Sequence, residues 1–320
     1  VGAPGLPSLR PDFPGNTFCD GRFVERYMSD AGGSFLRALK WRLSRNPKRE
    51  SKREDAFRLR VRILSELPPQ DRDWLVWLGH ASFLLRLAGR TLLLDPCTEG
   101  PKFLPRLAPV PLNLGGIDVD YVLISHGHYD HLDTATLGAL RGPAPTALVP
   151  LRLGRLVQRA NPSLAVQEAG WYQRYETGPD LRITLLPAQH WHRRGLRDFN
   201  AALWGSFLVQ WQDKSLYFAG DTGYNGHFKE IRGLAGPVDY ALLPIGAYDP
   251  PWLMQASHMN PEEALQAFAD LEGGTLVPMH FGTFDLSDES AGEPLRRLRA
   301  AEAPANGTIR ILDPGEVLDL

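Results

Sequence analysis

Cysteine is almost absent: Cys19 and Cys97 stand far apart and form no CxxC pattern. A disulfide framework is therefore excluded as the organising device, and a reducing compartment suits the chain. Long apolar runs are missing too, since nothing approaches the roughly 18 residues of a membrane span. The opening, Val1-Gly-Ala-Pro-Gly-Leu-Pro7, has neither an apolar signal region nor an initiator Met, and reads as a processed or trimmed start. These absences point to a cytoplasmic protein or one held at the periphery of a membrane.

Net charge is small, −2 from 35 basic and 37 acidic residues, but it is unevenly spread. From Arg37 to Arg62 there are eleven Lys or Arg against three acids, interleaved with apolar residues such as Leu39, Trp41, Leu43, Phe57 and Leu59. The plain reading is a solvated amphipathic helix packed on a domain. The alternatives are attraction to anionic lipid headgroups or to nucleic acid. Upstream, residues 1 to about 20 are rich in Pro and Gly and read as an extended arm. The 320 residues, 43% of them hydrophobic, suffice for one large domain or two smaller ones.

What is abundant is concentrated in one place. His126-Gly-His128-Tyr-Asp130-His131 puts four potential metal ligands in one turn, directly after the strand-like Tyr121-Val-Leu-Ile-Ser125. So short a turn cannot wrap all its ligands around one ion, so it suggests two metals that need further ligands from elsewhere. Three more apolar runs end in such residues: His190, Asp221 and His280. An isolated strand-end His or Asp is more often a cap or a surface residue. Beside the histidine cluster, all three become ligand candidates at the carboxyl ends of strands, where open sheets bind.

The chain also repeats itself. Ser82 to Leu94 aligns without gaps on Ser206 to Phe218, each a β-hairpin around a short polar turn. Val119 to Asp130 aligns on Val238 to Asp249, and Leu148 to Gly154 on Leu276 to Gly282. Helices are expected at Thr134 to Leu140, Leu153 to Ala160 and Pro261 to Leu271, the last with Asn260 as N-cap. Two similar halves with outer helices make an α/β, four-layer αββα sandwich. His126 and His128 face Ile245 and Ala247 in the second copy, and His280 faces Arg152 in the first, so the ligands are divided between the halves.

These motifs resemble the metallo-β-lactamase fold superfamily from about Trp74 onward. Within it, Trp77-Leu-Gly-His-Ala81, Ile124 to Asp133, Leu203-Trp-Gly-Ser206, Phe218 to Tyr224, Pro244 to Tyr248, Pro261-Glu-Glu-Ala264 and His280 to Phe284 look like the N-acyl-phosphatidylethanolamine-hydrolysing phospholipase D branch. The resemblance implies a hydrolase domain over 71–320, which leaves the N-terminal arm and basic segment over residues 1–70. It implies that His126, His128 and His190 hold one Zn2+, that Asp130, His131 and His280 hold a second, and that Asp221 bridges them. Other divalent transition metals could occupy the same ligands, but His128 stands where di-iron members carry Glu. The implied reaction is attack of a metal-bridging hydroxide on N-acyl-phosphatidylethanolamine, giving N-acylethanolamine and phosphatidic acid. Asp130 and His258 are its catalytic candidates. Ala256 and Ser257 depart from the polar pattern of the animal enzymes, which bears on substrate detail more than on chemistry.

Around this centre, Tyr248, Trp252 and Met254 form an aromatic and apolar cluster next to Pro250-Pro251, read as a loop that grips acyl chains or simply packs. Asp95 is expected to orient a ligand or loop, as is Asp133, and His80 is expected either to support the site or to pack. His192 and His227 read as bystanders. The implied partner is a phospholipid with peripheral membrane contact, no nucleic acid is expected, and homo-oligomerisation is left open. A lactonase or soluble phosphodiesterase on the same scaffold is the competing expectation.

Overall fold

The computed structural model describes residues 1–27, 35–101, 103–141, 145–302 and 306–320. The N-terminal region carries the strands β1 (Phe18–Cys19) and β2 (Arg22–Phe23) and the helices α1 (Phe35–Leu43) and α2 (Arg49–Glu54). The first half follows: β3 (Trp74–Gly79), β4 (Ser82–Leu87), β5 (Arg90–Leu94), β6 (Tyr121–Leu123), α3 (Thr134–Ala139), β7 (Thr146–Pro150), α4 (Gly154–Ala160) and β8 (Ala165–Ala169). The second half contains β9 (Leu181–Leu186), β10 (Ser206–Trp211), β11 (Lys214–Phe218), α5 (His227–Ala235), β12 (Tyr240–Pro244), α6 (Pro251–Met254), α7 (Pro261–Asp270) and β13 (Thr275–Met279). The chain ends with α8 (Glu293–Ala300), β14 (Thr308–Ile309) and β15 (Val317–Asp319).

β3 shows why the layers form. Its six residues are all buried, and a strand sends alternate side chains to opposite faces. Leu75 and Trp77 join the apolar cluster shared with the second sheet. Trp74, Val76 and Leu78 pack with Leu137 and Val157 of the helices α3 and α4. The second sheet is covered outside by Phe228 and Ile231 of α5, Phe268 of α7 and Leu298 of α8. The result is the αββα sandwich, with strand orders β15-β3-β4-β5-β6-β7-β8 and β14-β13-β12-β11-β10-β9.

The repeat is visible in the ladders. Phe83 pairs with Leu94 as Phe207 pairs with Phe218, and Leu92 with Tyr121 as Leu216 with Tyr240. For the last strand the sequence match is one residue out of step: Leu123 pairs with Leu148, whereas its counterpart Leu242 pairs with Val277 rather than Leu276. Strands apolar on both faces tolerate such a slip, because neither register exposes a polar side chain to the core. Arg152 and His280 nevertheless share a left-handed backbone, with φ of 69° and 62°.

Helix ends follow the caps. Asn260 accepts the Glu263 N–H at 2.9 Å while the Glu263 carboxylate accepts the Asn260 N–H at 3.0 Å, closing a capping box on α7. The Pro250-Pro251 segment is not all loop, because Pro251 starts the short helix α6, a position where its missing N–H costs nothing. Among the described residues no helix is long and apolar enough to cross a membrane.

Candidate metal centre

Four loops converge at one edge of the sandwich: the turn after β6 and the residues that follow β9, β11 and β13. Donor atoms of His126, His128, His190 and Asp221 lie within 4.8 Å of one another, as do those of His80, Asp130, His131 and His280. Asp221 lies between the groups. Its Oδ1 is 2.9 Å from His280 Nε2, and its Oδ2 is 3.1 Å from His131 Nε2, 3.8 Å from His126 Nε2 and 3.9 Å from His190 Nε2. The seven ligand candidates are thus brought together, and all but His128 and Asp130 are almost fully buried.

Neighbouring groups decide which ring nitrogens carry lone pairs. His190 Nδ1 donates to the Ser257 carbonyl at 3.1 Å, so its Nε2 is bare. His131 Nδ1 donates to Asp95 at 2.7 Å, which turns its Nε2 toward Asp221. The Ser125 hydroxyl donates to Asp95 and accepts from His126 Nδ1 at 2.9 Å. That leaves His126 Nε2, His128 Nδ1 and His190 Nε2 facing one another, at 2.9 and 3.1 Å from the central His128 atom. Donors sharing one ion at about 2.1 Å in tetrahedral array stand roughly 3.4 Å apart.

The buried His131 Nε2, His280 Nε2 and Asp221 Oδ1 find no hydrogen-bond partner despite their proximity. Close polar atoms that fail to bond each other are aimed at a common third body, and the donor set fits a pair of metal ions. Burial holds His126 and His190 well below the ordinary histidine range and His128 at about 3, so these rings are neutral, as ligands must be. Burial also opposes a charge on His131, but the carboxylates of Asp221 and Asp130 outweigh it and pull that group upward.

The surrounding residues brace the ligand candidates. His80, with φ of 56°, contacts Asp130 Oδ2 through Nε2 at 3.0 Å, and its carbonyl accepts the His280 N–H at 3.0 Å. Asp133 is the N-cap of α3 and also accepts the N–H groups of Glu99 and Gly100, so it ties a neighbouring loop rather than a ligand. His227 lies under Thr222, 3.3 Å from its hydroxyl. His192 packs so closely on Gly127 that a Cβ there would lie 2.2 Å from its ring. Sequence reasoning missed Arg194, whose guanidinium donates to the Gly127 and Leu132 carbonyls at 2.9 and 2.8 Å and so clamps the ligand turn. Its only signal was a basic pair, Arg193-Arg194, three residues beyond His190.

His258 reaches the centre from behind α6, with Nδ1 buried, unpartnered and 3.9 Å from Asp221. Burial lowers its pKa to about 4. Tyr248 shares a cleft of about 270 Å³ with His258, Lys48 and Arg297. Its hydroxyl donates to Glu293 at 3.1 Å and Arg297 lies over its ring at 4.6 Å. Trp252 is 54% exposed and lines neither this cleft nor a second cavity of about 160 Å³ that reaches His280. Met254 likewise lines neither, and its carbonyl accepts the His258 N–H at 2.9 Å.

Two buried groups of His and Asp that share one carboxylate, at the edge of an αββα sandwich, define a metal-dependent hydrolase. The family model for a beta-lactamase superfamily domain matches residues 90–281. An uncharacterized protein of Mycobacterium tuberculosis is 41% identical over 256 residues, covering 76% of this chain and 68% of that protein. N-acyl-phosphatidylethanolamine-hydrolyzing phospholipase D 1 of Caenorhabditis elegans is 34% identical over 266 residues, covering 75% and 74% respectively. The solved structure of Igni18, a metallo hydrolase from Ignicoccus hospitalis, superposes with a TM-score of 0.60 at 24% identity over 78% of this chain and 98% of its own, a likeness of fold. The chain belongs to the metallo-β-lactamase superfamily.

Proposed function

We propose that the protein is a dizinc phosphodiesterase of phospholipase D type that hydrolyses N-acyl-phosphatidylethanolamine to N-acylethanolamine and phosphatidic acid. The observation that carries this reading is the pair of ligand groups joined at Asp221, in a chain that is 34% identical to a nematode phospholipase D of that name. His126, His128 and His190 would hold one Zn2+, and Asp130, His131 and His280 the other. When bound, two such cations supply Lewis acidity toward a phosphoryl group and toward water at neutral pH.

The chain's own residues do the rest. Asp130 and Asp221 bring the negative charge that balances the centre, and Asp95, Ser125 and Ser257 hold the rings in the binding tautomer. His258 is neutral at pH 7 with its pKa near 4. It therefore serves better as an N–H donor to a phosphoryl oxygen than as a carrier of positive charge. A soluble phosphodiesterase is the second reading, supported by the polar character of the cleft that Lys48, Gln255 and Arg297 form beside His258.

The test is turnover of N-acyl-phosphatidylethanolamine in mixed vesicles, with both products followed by mass spectrometry and metal content measured on the same sample. The expected result is about two equivalents of zinc, and a loss of roughly 10³-fold or more in Asp130→Asn and Asp221→Asn. Zinc-loaded protein that cleaves bis(p-nitrophenyl) phosphate and leaves the lipid intact would favour the second reading. Loading of a single equivalent would defeat both.

A further inference from the structure

The basic segment does more than decorate the surface. α2 has no buried residue, so apolar packing does not hold it in place. Its anchors lie on one helical face at a spacing of four and three residues: Lys48, Lys52 and Asp55. Lys48 bonds Asp249 at 2.7 Å and Glu293 at 2.8 Å. Lys52 pairs with Asp285 and donates to the Ser287 carbonyl. Asp55 bonds Arg296 at 3.2 Å and accepts the Gly292 N–H at 3.0 Å. Beyond the helix, Leu59 and Phe57 lie against Gly282 and Gly292, where a Cβ would come within 3.0 and 2.6 Å of them.

All of these partners except Asp249 belong to α8 or to the loop between His280 and α8. The family model covers residues 90–281 and so spans the ligand candidates, but it includes neither the basic segment nor the loop it grips. Between the two lies the cavity of about 160 Å³ that reaches His280. Leu107, Phe281 and Phe284 give it apolar walls, and its charged lining is Lys52 and Arg58 together with Asp55, Asp285 and Glu289, of which Asp285 pairs with Lys52, Asp55 with Arg296, and Glu289 accepts the Ala247 and Asp249 N–H groups. Arg58 donates only to the carbonyls of Asp55 and Phe57 and has no carboxylate partner among the described residues.

We propose that residues 48–59 form a strap, fastened by charge, that walls the cavity at His280 and selects amphiphilic phosphodiesters by their apolar arm. This rests on the phosphodiesterase reading of the site. The apolar side of the cavity takes the chain, and the Arg58 guanidinium meets the anionic end. Because ion pairs hold the helical part of the strap, and only Phe57 and Leu59 at its end pack on the core, reversing one charge loosens it without emptying the sandwich.

The experiment compares methyl and dodecyl p-nitrophenyl phosphate as substrates, and measures dodecyl phosphate binding by calorimetry, in wild type, Lys52→Glu and the exchanged pair Lys52→Glu with Asp285→Lys. Wild type should show a lower KM for the long-chain ester. Lys52→Glu should shrink that preference at least tenfold with metal content unaltered, and the exchanged pair should restore most of it. A preference that survives in Lys52→Glu, or an equal loss on both esters, overturns the strap. If wild type cleaves neither ester, the phosphodiesterase reading fails by itself. Dodecyl phosphate binding then still decides the strap, and equal affinity in wild type and Lys52→Glu sinks it.

Discussion

A neutral imidazole offers one lone pair, and at this site Asp95, Ser125 and Ser257 determine which nitrogen offers it. Asp95 serves two ligand candidates together, His131 directly and His126 through Ser125. Asp95→Ala should therefore weaken metal binding by roughly 10- to 100-fold, measured by chelator competition, because both rings lose their fixed tautomer. Unchanged affinity would show that packing alone orients the rings. Glu25 is a second residue with a legible energetic role. One of its oxygens accepts the Tyr27 N–H at 2.7 Å, while Oε2 is buried without a partner, and burial raises its pKa to about 7. A folded pKa above the unfolded value stabilises the protein below about pH 4.5 and withdraws that stability as pH climbs through 7. Glu25→Gln imitates the protonated form. It should raise stability at pH 8 by up to about 3 kcal/mol and change little at pH 4, as read from thermal melts at both values.

At the scale of elements, α7 offers a clean measurement, because its capping box is exposed enough to be altered without opening the core. Asn260→Ala should cost about 1 kcal/mol in denaturant unfolding. The same box explains why this helix was legible in sequence: Asn260, Pro261 and Glu263 fix the start through strictly local bonds. The duplicated hairpins were legible for a related reason, since apolar alternation and a polar turn are local signals. β15 was not, because Val317–Asp319 is too short for any period and is ordered by pairing with β3, over two hundred residues away, and by the packing of Val317 and Leu318 on the two apolar clusters. The slipped match of β13 was hidden because identical Leu-Val-Pro letters carry no information about ladder register. α2 was read as part of a charge run whose simplest meaning is solvation. Its true partners, Asp249, Asp285, Glu293 and Arg296, are distant in sequence, and no periodicity announces them. The ligand turn after β6 was the easiest element to read, because its chemistry sits in six consecutive residues.

At the scale of the whole molecule, the seven ligand candidates are divided between the two halves. The turn after β6 brings His126, His128, Asp130 and His131 from the first sheet, while His190, Asp221 and His280 follow strands of the second. Metal ions held by both sets would oppose separation of the sheets at this edge, where Gly220 of the second half already comes close to Ser125 of the first. Without them, two carboxylates and several bare nitrogens face one another in a buried space, an arrangement that costs free energy in the folded state only. A ligand present at a thousand times its dissociation constant stabilises by about 4 kcal/mol. For a chain of this size that amounts to a fall in Tm on the order of 10 °C on chelation. Amide exchange should rise in both halves together, at the turn after β6 and at the residues following β9, β11 and β13. If chelation leaves Tm unchanged, or loosens the ligand turn alone while the second sheet keeps its protection, the metals do not join the halves and the division of ligands between them has no part in stability.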